Sequence, residues 1–421
     1  MLVFLSDVHL TDGSSGETIR PAAFKLFADN LLKLAETVSP LEELRLILLG
    51  DIFDIIRSSR WLDGGNGVRP WDGPSPQQEE IVGNILRDIL TANGASLAEF
   101  DRLRDYAGKR GIPFGITYVI GNHDWLVNRY PGCREMAANA LGIPSADAPP
   151  FPTELFEPGY RVFARHGDIY DKFNYMGNRD ASSIGDAIVI ELLNKYPLVA
   201  GEKLDGLVAT GRLPRDERDR IFAQLKELDN IRPLLDAPSW VLMVSDRAGS
   251  AEARQAITDA WEECVNQFFH VPFISKQDKF LWPDTIDLLQ IALRLSSHTS
   301  KRLLEKLVEL KERFVADNGE GGYAKAAFAE AKVRSGEAGY VLYGHTHEHL
   351  ILPMDQVPLE RGSTLDKVYF NTGTWRKTWN KACFEHVGRE FIGWQVLTYV
   401  TIYRPTENRQ YNFEVWNGAL G

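Results

Sequence analysis

The sequence lacks the features of secreted and membrane-spanning proteins. Its 421 residues include only three cysteines, Cys133, Cys264 and Cys383, whose wide spacing fits neither a metal site nor a disulfide framework and indicates a reducing compartment. No run of about 18 apolar residues is present, so no spanning helix is expected. The first strand pattern begins at Met1 and leaves no room for a signal peptide. We therefore expect a cytoplasmic protein.

Basic residues are also in deficit, with 47 Lys and Arg against 58 Asp and Glu and a formal charge of −11. An acidic surface repels a polyanion, so nucleic acid is a less favoured partner, although a local basic patch would reopen that possibility. Apolar residues make up 44% of the chain, which is enough for an ordinary globular core. The length allows about two or three domains.

Histidine is scarce too, yet five of the nine histidines fall within five short polar segments. These segments are Leu5–His9 (LSDVH), Gly50–Asp54 (GDIFD), Gly121–Asp124 (GNHD), Arg165–Asp168 (RHGD) and Gly344–His347 (GHTH). Each follows an apolar run that is typical of a buried strand, namely Met1–Leu5, Leu44–Leu49, Ile116–Ile120, Tyr160–Ala164 and Tyr340–Tyr343. Ligands of open α/β sheets gather beyond the carboxyl ends of the strands, so these segments should meet.

Together the segments offer seven potential metal ligands: Asp7, His9, Asp51, Asn122, His166, His345 and His347. A lone histidine beside a strand is usually a core residue, but the coincidence of five such segments favours a metal centre. Seven side chains exceed the needs of one ion, and a carboxylate such as Asp51 can bridge two ions about 3.5–4 Å apart. Imidazole, carboxylate and amide ligands suit Mn, Fe, Zn or Co better than Ca or Mg. Without a thiolate, a structural zinc site is disfavoured.

The order of these segments resembles the pattern of the calcineurin-like metallophosphoesterases: D-x-H, G-D-x-x-D, G-N-H-(D/E), H and G-H-x-H. The resemblance covers residues 1–172 and 338–380. It implies an α/β core of mixed β-sheets sandwiched by helices, with two divalent metal ions at the strand carboxyl ends. It assigns the first ion to Asp7, His9 and His347, the second ion to Asn122, His166 and His345, and the bridge to Asp51.

The resemblance also implies a phosphoesterase reaction, in which a metal-bound hydroxide attacks phosphorus. His123 matches the family histidine that faces the leaving group, and we expect it to protonate that group, oriented by Asp124. Asp54 is expected to orient a ligand histidine or to contact substrate. Arg376 follows the Asn371–Gly373 turn and is expected either to contact phosphate or to be a solvated surface arginine.

In residues 176–337 strand patterns no longer alternate with helix patterns. This segment is predicted to be a helical insertion between core segments 1–175 and 338–421. The predicted helices are Ser183–Tyr196, Asp216–Glu227, Ala251–Phe269, Pro283–Ser297, Ser300–Asn318 and Tyr323–Ser335. Because the ligands His166 and His345 flank it, the insertion is expected to cap the active site. A bundle that only stabilises the fold or an oligomer is the alternative.

A small-molecule or lipid-linked phosphoester is the favoured substrate. The GDIFD and HGD segments are similar to those of the bacterial UDP-2,3-diacylglucosamine pyrophosphohydrolases, but His123 stands where that group carries arginine, and the insertion is far larger. A nuclease, a protein Ser/Thr phosphatase and a non-catalytic metal-binding scaffold are the alternatives. Degenerate ligands would mark a scaffold, and all seven predicted ligands are of suitable type.

Overall fold

A computed structural model describes residues 1–63, 67–144, 149–277, 289, 293, 320–358, 364–382, 390–407 and 411–420. It consists of two mixed β-sheets and many helices, which confirms the predicted α/β class. The predicted helix Ser300–Asn318 and Cys383 lie outside the described residues, as does Pro283–Ser297 apart from two positions. Among the described residues, no helix combines the length and apolar character needed to cross a membrane.

The described residues form twelve strands, which include all five that were predicted to precede the polar segments. They are β1 (Leu2–Leu5), β2 (Leu44–Leu49), β3 (Phe114–Val119), β4 (Glu154–Glu157), β5 (Val162–Arg165), β6 (Ile231–Arg232), β7 (Tyr340–Tyr343), β8 (His349–Pro358), β9 (Thr364–Thr372), β10 (Lys377–Lys381), β11 (Phe391–Ile402) and β12 (Phe413–Leu420). Strands β11 and β12 pair antiparallel.

Each sheet contains a block of three parallel strands, at one side of the first sheet and in the centre of the second. The first sheet runs β3-β2-β1-β11-β10-β6, with β12 also paired to β11, and β1, β2 and β3 are parallel. The second runs β4-β5-β7-β9-β8, with β5, β7 and β9 parallel. Between the sheets lies an apolar layer that includes Phe4, Ile47 and Leu49 of the first sheet and Ala164 and Phe370 of the second. This layer fixes the position of the strand ends of one sheet relative to those of the other.

Helices cover the outer faces of the sheets. They are α1 (Pro21–Thr37), α2 (Pro76–Ala92), α3 (Gly94–Lys109), α4 (Trp125–Arg129), α5 (Pro131–Leu141), α6 (Ile184–Ile188), α7 (Lys195–Ala209), α8 (Arg215–Lys226), α9 (Ala237–Asp246), α10 (Ala251–Phe269), α11 (Pro272–Ser275), α12 (Glu320–Ala329) and α13 (Ala331–Arg334). A π-helical stretch, Val189–Asn194, joins α6 to α7, so the helix predicted at Ser183–Tyr196 continues much further.

Helix α9 was not predicted from the sequence. Its buried residues Trp240, Val241, Met243 and Val244 form an almost continuous apolar run. Such a run has no polar face at helical spacing, so periodicity alone cannot separate it from a strand.

Part of the predicted insertion belongs to the first sheet. Strand β6 pairs in parallel with β10, and Trp240 packs against Trp379 with ring centroids 5.1 Å apart. A two-residue strand carries too little pattern to be recognised in sequence. Its position matters because it brings residues 229–232 to the edge of the sheet where the polar segments lie.

Candidate metal centre

The carboxyl ends of five strands deliver the predicted ligands to one place. Strand β1 leads to Asp7 and His9, β2 to Asp51, β3 to Asn122, β5 to His166, and β7 to His345 and His347. All seven side chains lie within a network of short contacts. Within each sheet the parallel strands place their carboxyl ends at one edge, and the packing of the two sheets brings the two edges together.

The backbone at these ligands is unusual. Within the described residues, six non-glycine residues have positive φ, and five of them are predicted ligands: Asp7 (49°), His9 (49°), Asp51 (54°), His345 (70°) and His347 (63°). The left-handed region costs a non-glycine residue about 1–3 kcal/mol and persists only where the surroundings enforce it. Because such strain clusters at functional sites, it supports this set as a candidate functional site.

Glycines Gly50, Gly121 and Gly344 each stand immediately before a predicted ligand. A Cβ at Gly50 would lie 2.5 Å from His166 Nδ1, and one at Gly121 would overlap the Asp51 carboxylate. One at Gly344 would likewise overlap a ligand carboxylate from β1. The glycines are thus required because the ligand of one strand end packs directly against the backbone of the next.

This packing predicts the effect of Gly121→Ala. The new methyl group should displace the Asp51 carboxylate and weaken metal binding at least tenfold, which corresponds to about 1.4 kcal/mol. Metal titration monitored by calorimetry checks this expectation. Gly83→Ala in α2 is the matched control, since a Cβ there meets no atom within 4 Å. Equal metal affinity in both variants would show that the close approach at Gly121 does not position Asp51.

The first ligand group consists of Asp7, His9 and His347, whose ligand atoms lie within 4.8 Å of one another. His347 Nε2 lies 3.0 Å from His9 Nε2 and 3.3 Å from Asp7 Oδ1. Asp7 Oδ1 is buried and has no hydrogen-bond partner among the described residues. A buried, unpartnered carboxylate oxygen is costly, and a cation between it and the two imidazoles would satisfy it.

The second group consists of Asp51, His166 and His345, and it also satisfies the 4.8 Å criterion. The amide oxygen of Asn122 joins it, at 3.1 Å from His166 Nε2 and 3.0 Å from His345 Nδ1. Asp51 Oδ2 is 3.2 Å from His166 Nε2 and 3.8 Å from His9 Nε2. Asp51 therefore stands between the two groups, where a bridging ligand would have to lie.

Hydrogen bonds on the far side of the ring fix the tautomers of three ligand histidines. His9 Nδ1 donates to Asp54 over 2.8 Å, and His166 Nδ1 donates to the Leu49 carbonyl over 2.9 Å. His345 Nε2 donates to Asp171 over 3.1 Å. Each histidine then directs its remaining lone pair into the ligand cluster, as metal-binding histidines do. Asp171 was not predicted, because it belongs to none of the recurring segments.

The charges of the cluster favour a bound cation. Burial lowers the pKa of His9 to about 4, so this ring is neutral and keeps its lone pair at neutral pH. Burial also tends to lower the pKa of His166. The carboxylates of Asp51 and Asp7 have a larger, opposite effect and raise the pKa of His166 to about 10. The acidic residues thus attract a positive charge to His166, which a proton or a metal ion can supply.

His123 lies outside these two groups and forms a third close group with His9 and Asp54. Its Nδ1 donates to Asp54 Oδ1 over 2.8 Å, and its backbone N–H donates to Asp51 Oδ1, also over 2.8 Å. The side chain is 15% exposed, so one edge of the ring reaches solvent. Burial disfavours the charged ring, but Asp54 and Asp51 outweigh burial and raise the pKa of His123 to about 9.

The expectation that Asp124 orients His123 is wrong. Asp124 Oδ1 accepts from the Gly121 N–H over 2.6 Å, and Oδ2 accepts from the Ile52 N–H over 2.9 Å and the Tyr118 hydroxyl over 2.5 Å. These bonds occupy both oxygens and hold the turn that carries the ligands. Asp54 is instead the partner of His123.

Arg376 is only 4% exposed, which excludes the solvated surface position. Its Nη2 donates to Asn230 Oδ1, and its Nη1 lies 3.7 Å from Asp229 Oδ2. Nearby, Arg232 Nη2 lies 3.0 Å from His347 Nδ1. Asn230, Asp229 and Arg232 were not predicted, because they lie in the insertion and only its tertiary packing brings them here.

Comparison with known proteins provides no functional assignment, since no protein family matches the chain and no curated protein matches its sequence. The candidate function therefore rests on the residues of the site and on their arrangement.

Proposed function

We propose that this protein is a metal-dependent phosphoesterase with a calcineurin-like core and two divalent ions. The supporting observation is that the predicted ligands from five strand ends lie in two groups with Asp51 between them. The motif order and the mixed sheets are in keeping with this family, and the substrate would be a phosphomonoester, a phosphodiester or a pyrophosphate.

The donor set fits two ions. His9 points an imidazole lone pair toward His347 Nε2, 3.0 Å away, and Asp7 Oδ1 lacks a partner within the described part of the chain. Acceptors that face one another in a buried site repel unless a cation lies between them. Imidazole, carboxylate and amide donors suit Mn, Fe or Zn. Such ions lower the pKa of bound water and neutralise charge on phosphoryl oxygens.

His123 is proposed as the acid that protonates the leaving group. Asp54 holds its Nδ1 and leaves Nε2 as the nitrogen able to give a proton to the leaving oxygen. The adjacent carboxylates of Asp54 and Asp51 stabilise the protonated ring, which keeps the proton available at neutral pH. Asp54 also holds His9, so one carboxylate fixes both the acid and a metal ligand.

Contacts between the insertion and the core are in keeping with a substrate that binds between them. Arg232 of the insertion contacts His347, and Asn230 contacts Arg376. A small-molecule or lipid-linked phosphoester fits such a site better than a long polyanion, given the net charge of −11.

The proposed function is tested with purified protein loaded with Mn²⁺, Fe²⁺ or Zn²⁺. Nitrophenyl phosphate, bis-nitrophenyl phosphate and pyrophosphate represent the three substrate classes. We expect hydrolysis of at least one class that chelation abolishes and that added metal restores. Two bound metal equivalents without turnover of any class would instead indicate a metal-binding scaffold.

Metal removal should also destabilise the protein. Ions bind the assembled ligands of the native state, so free metal at 100 times the dissociation constant should add about 2.7 kcal/mol to the free energy of unfolding. Urea unfolding with and without chelator measures this difference. Asp7→Asn should reduce it, because Asp7 belongs to the first ligand group. An unfolding midpoint that is independent of metal would contradict the proposed site.

A further inference from the structure

Three arginines from distant parts of the chain converge on Asp229. Arg57 Nη2 pairs with the Asp229 carboxylate, and Arg376 Nη1 lies 3.7 Å from it. Arg232 Nη1 donates to the Asp229 backbone carbonyl over 2.9 Å. Arg57 follows the GDIFD segment and Arg376 follows β9, whereas Arg232 lies on β6. The cluster therefore forms only when the insertion packs on the core.

This arginine cluster adjoins the first ligand group. Arg57 Nε is 3.7 Å from Asp54 Oδ2, the same oxygen that accepts from His9. Arg232 Nη2 is 3.0 Å from His347 Nδ1. The three guanidinium groups face the carboxylates of Asp54 and Asp229, and Asp54 is shared with the histidines, so these two carboxylates do not satisfy all the guanidinium donors.

Several guanidinium donors of the cluster lack acceptors. Arg57 is 1% exposed and Arg376 is 4% exposed. In the part of the chain that the structure describes, Arg57 Nε and Nη1 and Arg376 Nη1 have no hydrogen-bond partner. Buried donors of charged groups are costly to leave unsatisfied, and in native proteins they usually indicate a bound ligand or water.

The contact between Arg232 and His347 is itself incompatible with a metal-binding His347. A guanidinium group only donates, so Arg232 can bond His347 Nδ1 only while that nitrogen carries a lone pair. An imidazole that gives its Nε2 lone pair to a cation carries its hydrogen on Nδ1. Arg232 must then find another acceptor, and an anionic oxygen beside the metal group would provide it.

We propose that Arg57, Arg232 and Arg376 form an anion-binding subsite that holds phosphate oxygens of the substrate next to the Asp7–His9–His347 group. The inference rests on the proposed function, since it places the phosphate of the same phosphoester. Guanidinium forks bind phosphate through paired, charge-assisted hydrogen bonds. The ligand is either the phosphoryl group that reacts or a second phosphate linked to it.

The test is calorimetric titration of the metal-free, full-length protein with inorganic phosphate and with pyrophosphate. We expect Arg57→Gln and Arg376→Gln each to weaken binding at least tenfold. Arg232→Gln should weaken it by less, because Arg232 still bonds His347 Nδ1 when no metal is bound. Arg404→Gln is the matched control, because Arg404 pairs with Glu42 and Glu43 at the opposite edge of the first sheet. Similar affinities for both probes would assign one phosphoryl group to the subsite, and tighter pyrophosphate binding would assign two linked phosphates.

Circular dichroism establishes whether each variant is folded. Where a glutamine variant is not folded, the corresponding Arg→Lys variant is used instead. A lysine keeps the charge but loses the paired donors, so it should weaken binding as well, although by less. Folded variants that bind phosphate as the wild type does would overturn the subsite, as would a wild type that binds neither probe. Phosphoesterase activity would remain an independent result, because anion binding is measured without metal.

Discussion

Replacing Asp51 by Asn should remove both metal ions together, whereas His9→Ala should remove mainly one. Asp51 Oδ2 lies 3.2 Å from His166 Nε2 and 3.8 Å from His9 Nε2, so its charge serves both ligand groups. His9 contacts His347 and Asp7, both members of the first group. Elemental analysis after reconstitution with Mn²⁺ or Zn²⁺ and dialysis gives the metal equivalents per chain.

Asp101→Asn is the control for charge removal, because Asp101 lies exposed on α3 and pairs only locally with Arg104. It should retain the wild-type metal content. If Asp51→Asn kept one full equivalent of metal, Asp51 would be an ordinary ligand of a single ion. At most one equivalent in the wild type would exclude a two-metal centre.

His123→Ala should leave the metal content intact while it lowers turnover by about 10²–10⁴-fold, the usual contribution of a general acid. His123 contacts Asp54 and the Asp51 carboxylate but belongs to neither of the two groups that are proposed to hold the ions. The loss should shrink for nitrophenyl esters, whose leaving groups need little protonation. Steady-state kinetics on substrates of graded leaving-group acidity measure this dependence.

His270→Ala is the matched control for His123→Ala, since His270 caps α10 at an exposed position. It should change neither the metal content nor the turnover. A uniform loss across all leaving groups in His123→Ala would rule out proton transfer to the leaving group. Loss of metal in this variant would make His123 a ligand.

The strands and ligands were predictable from sequence because each signal is local. The apolar runs Leu44–Leu49 and Tyr340–Tyr343 coincide with β2 and β7, and a ligand follows each of them. Parallel pairing aligns these ends within each sheet, and the packing of the two sheets then brings them together. The glycine before each ligand is also a local sequence signal. Only the structure shows which neighbouring ligand side chain would overlap a Cβ at that position.

The errors and omissions concern contacts that sequence proximity does not determine. His123 and Asp124 are adjacent in sequence, yet His123 bonds Asp54, since Asp124 is fully used by the backbone of the turn. The burial of Arg376 and the position of Arg232 depend on β6, which joins the sheet from within a helical region. Side chains that gather through such packing leave no periodic or motif signal.

The most direct test of the two-metal centre is anomalous X-ray diffraction from crystals of the Mn²⁺-loaded protein. We expect two anomalous peaks about 3.5–4 Å apart, the separation that two-metal hydrolases require. One peak should lie against Asp7, His9 and His347, the other against His166 and His345, with Asp51 contacting both. A single peak, or two peaks that do not share Asp51, would contradict the proposed centre.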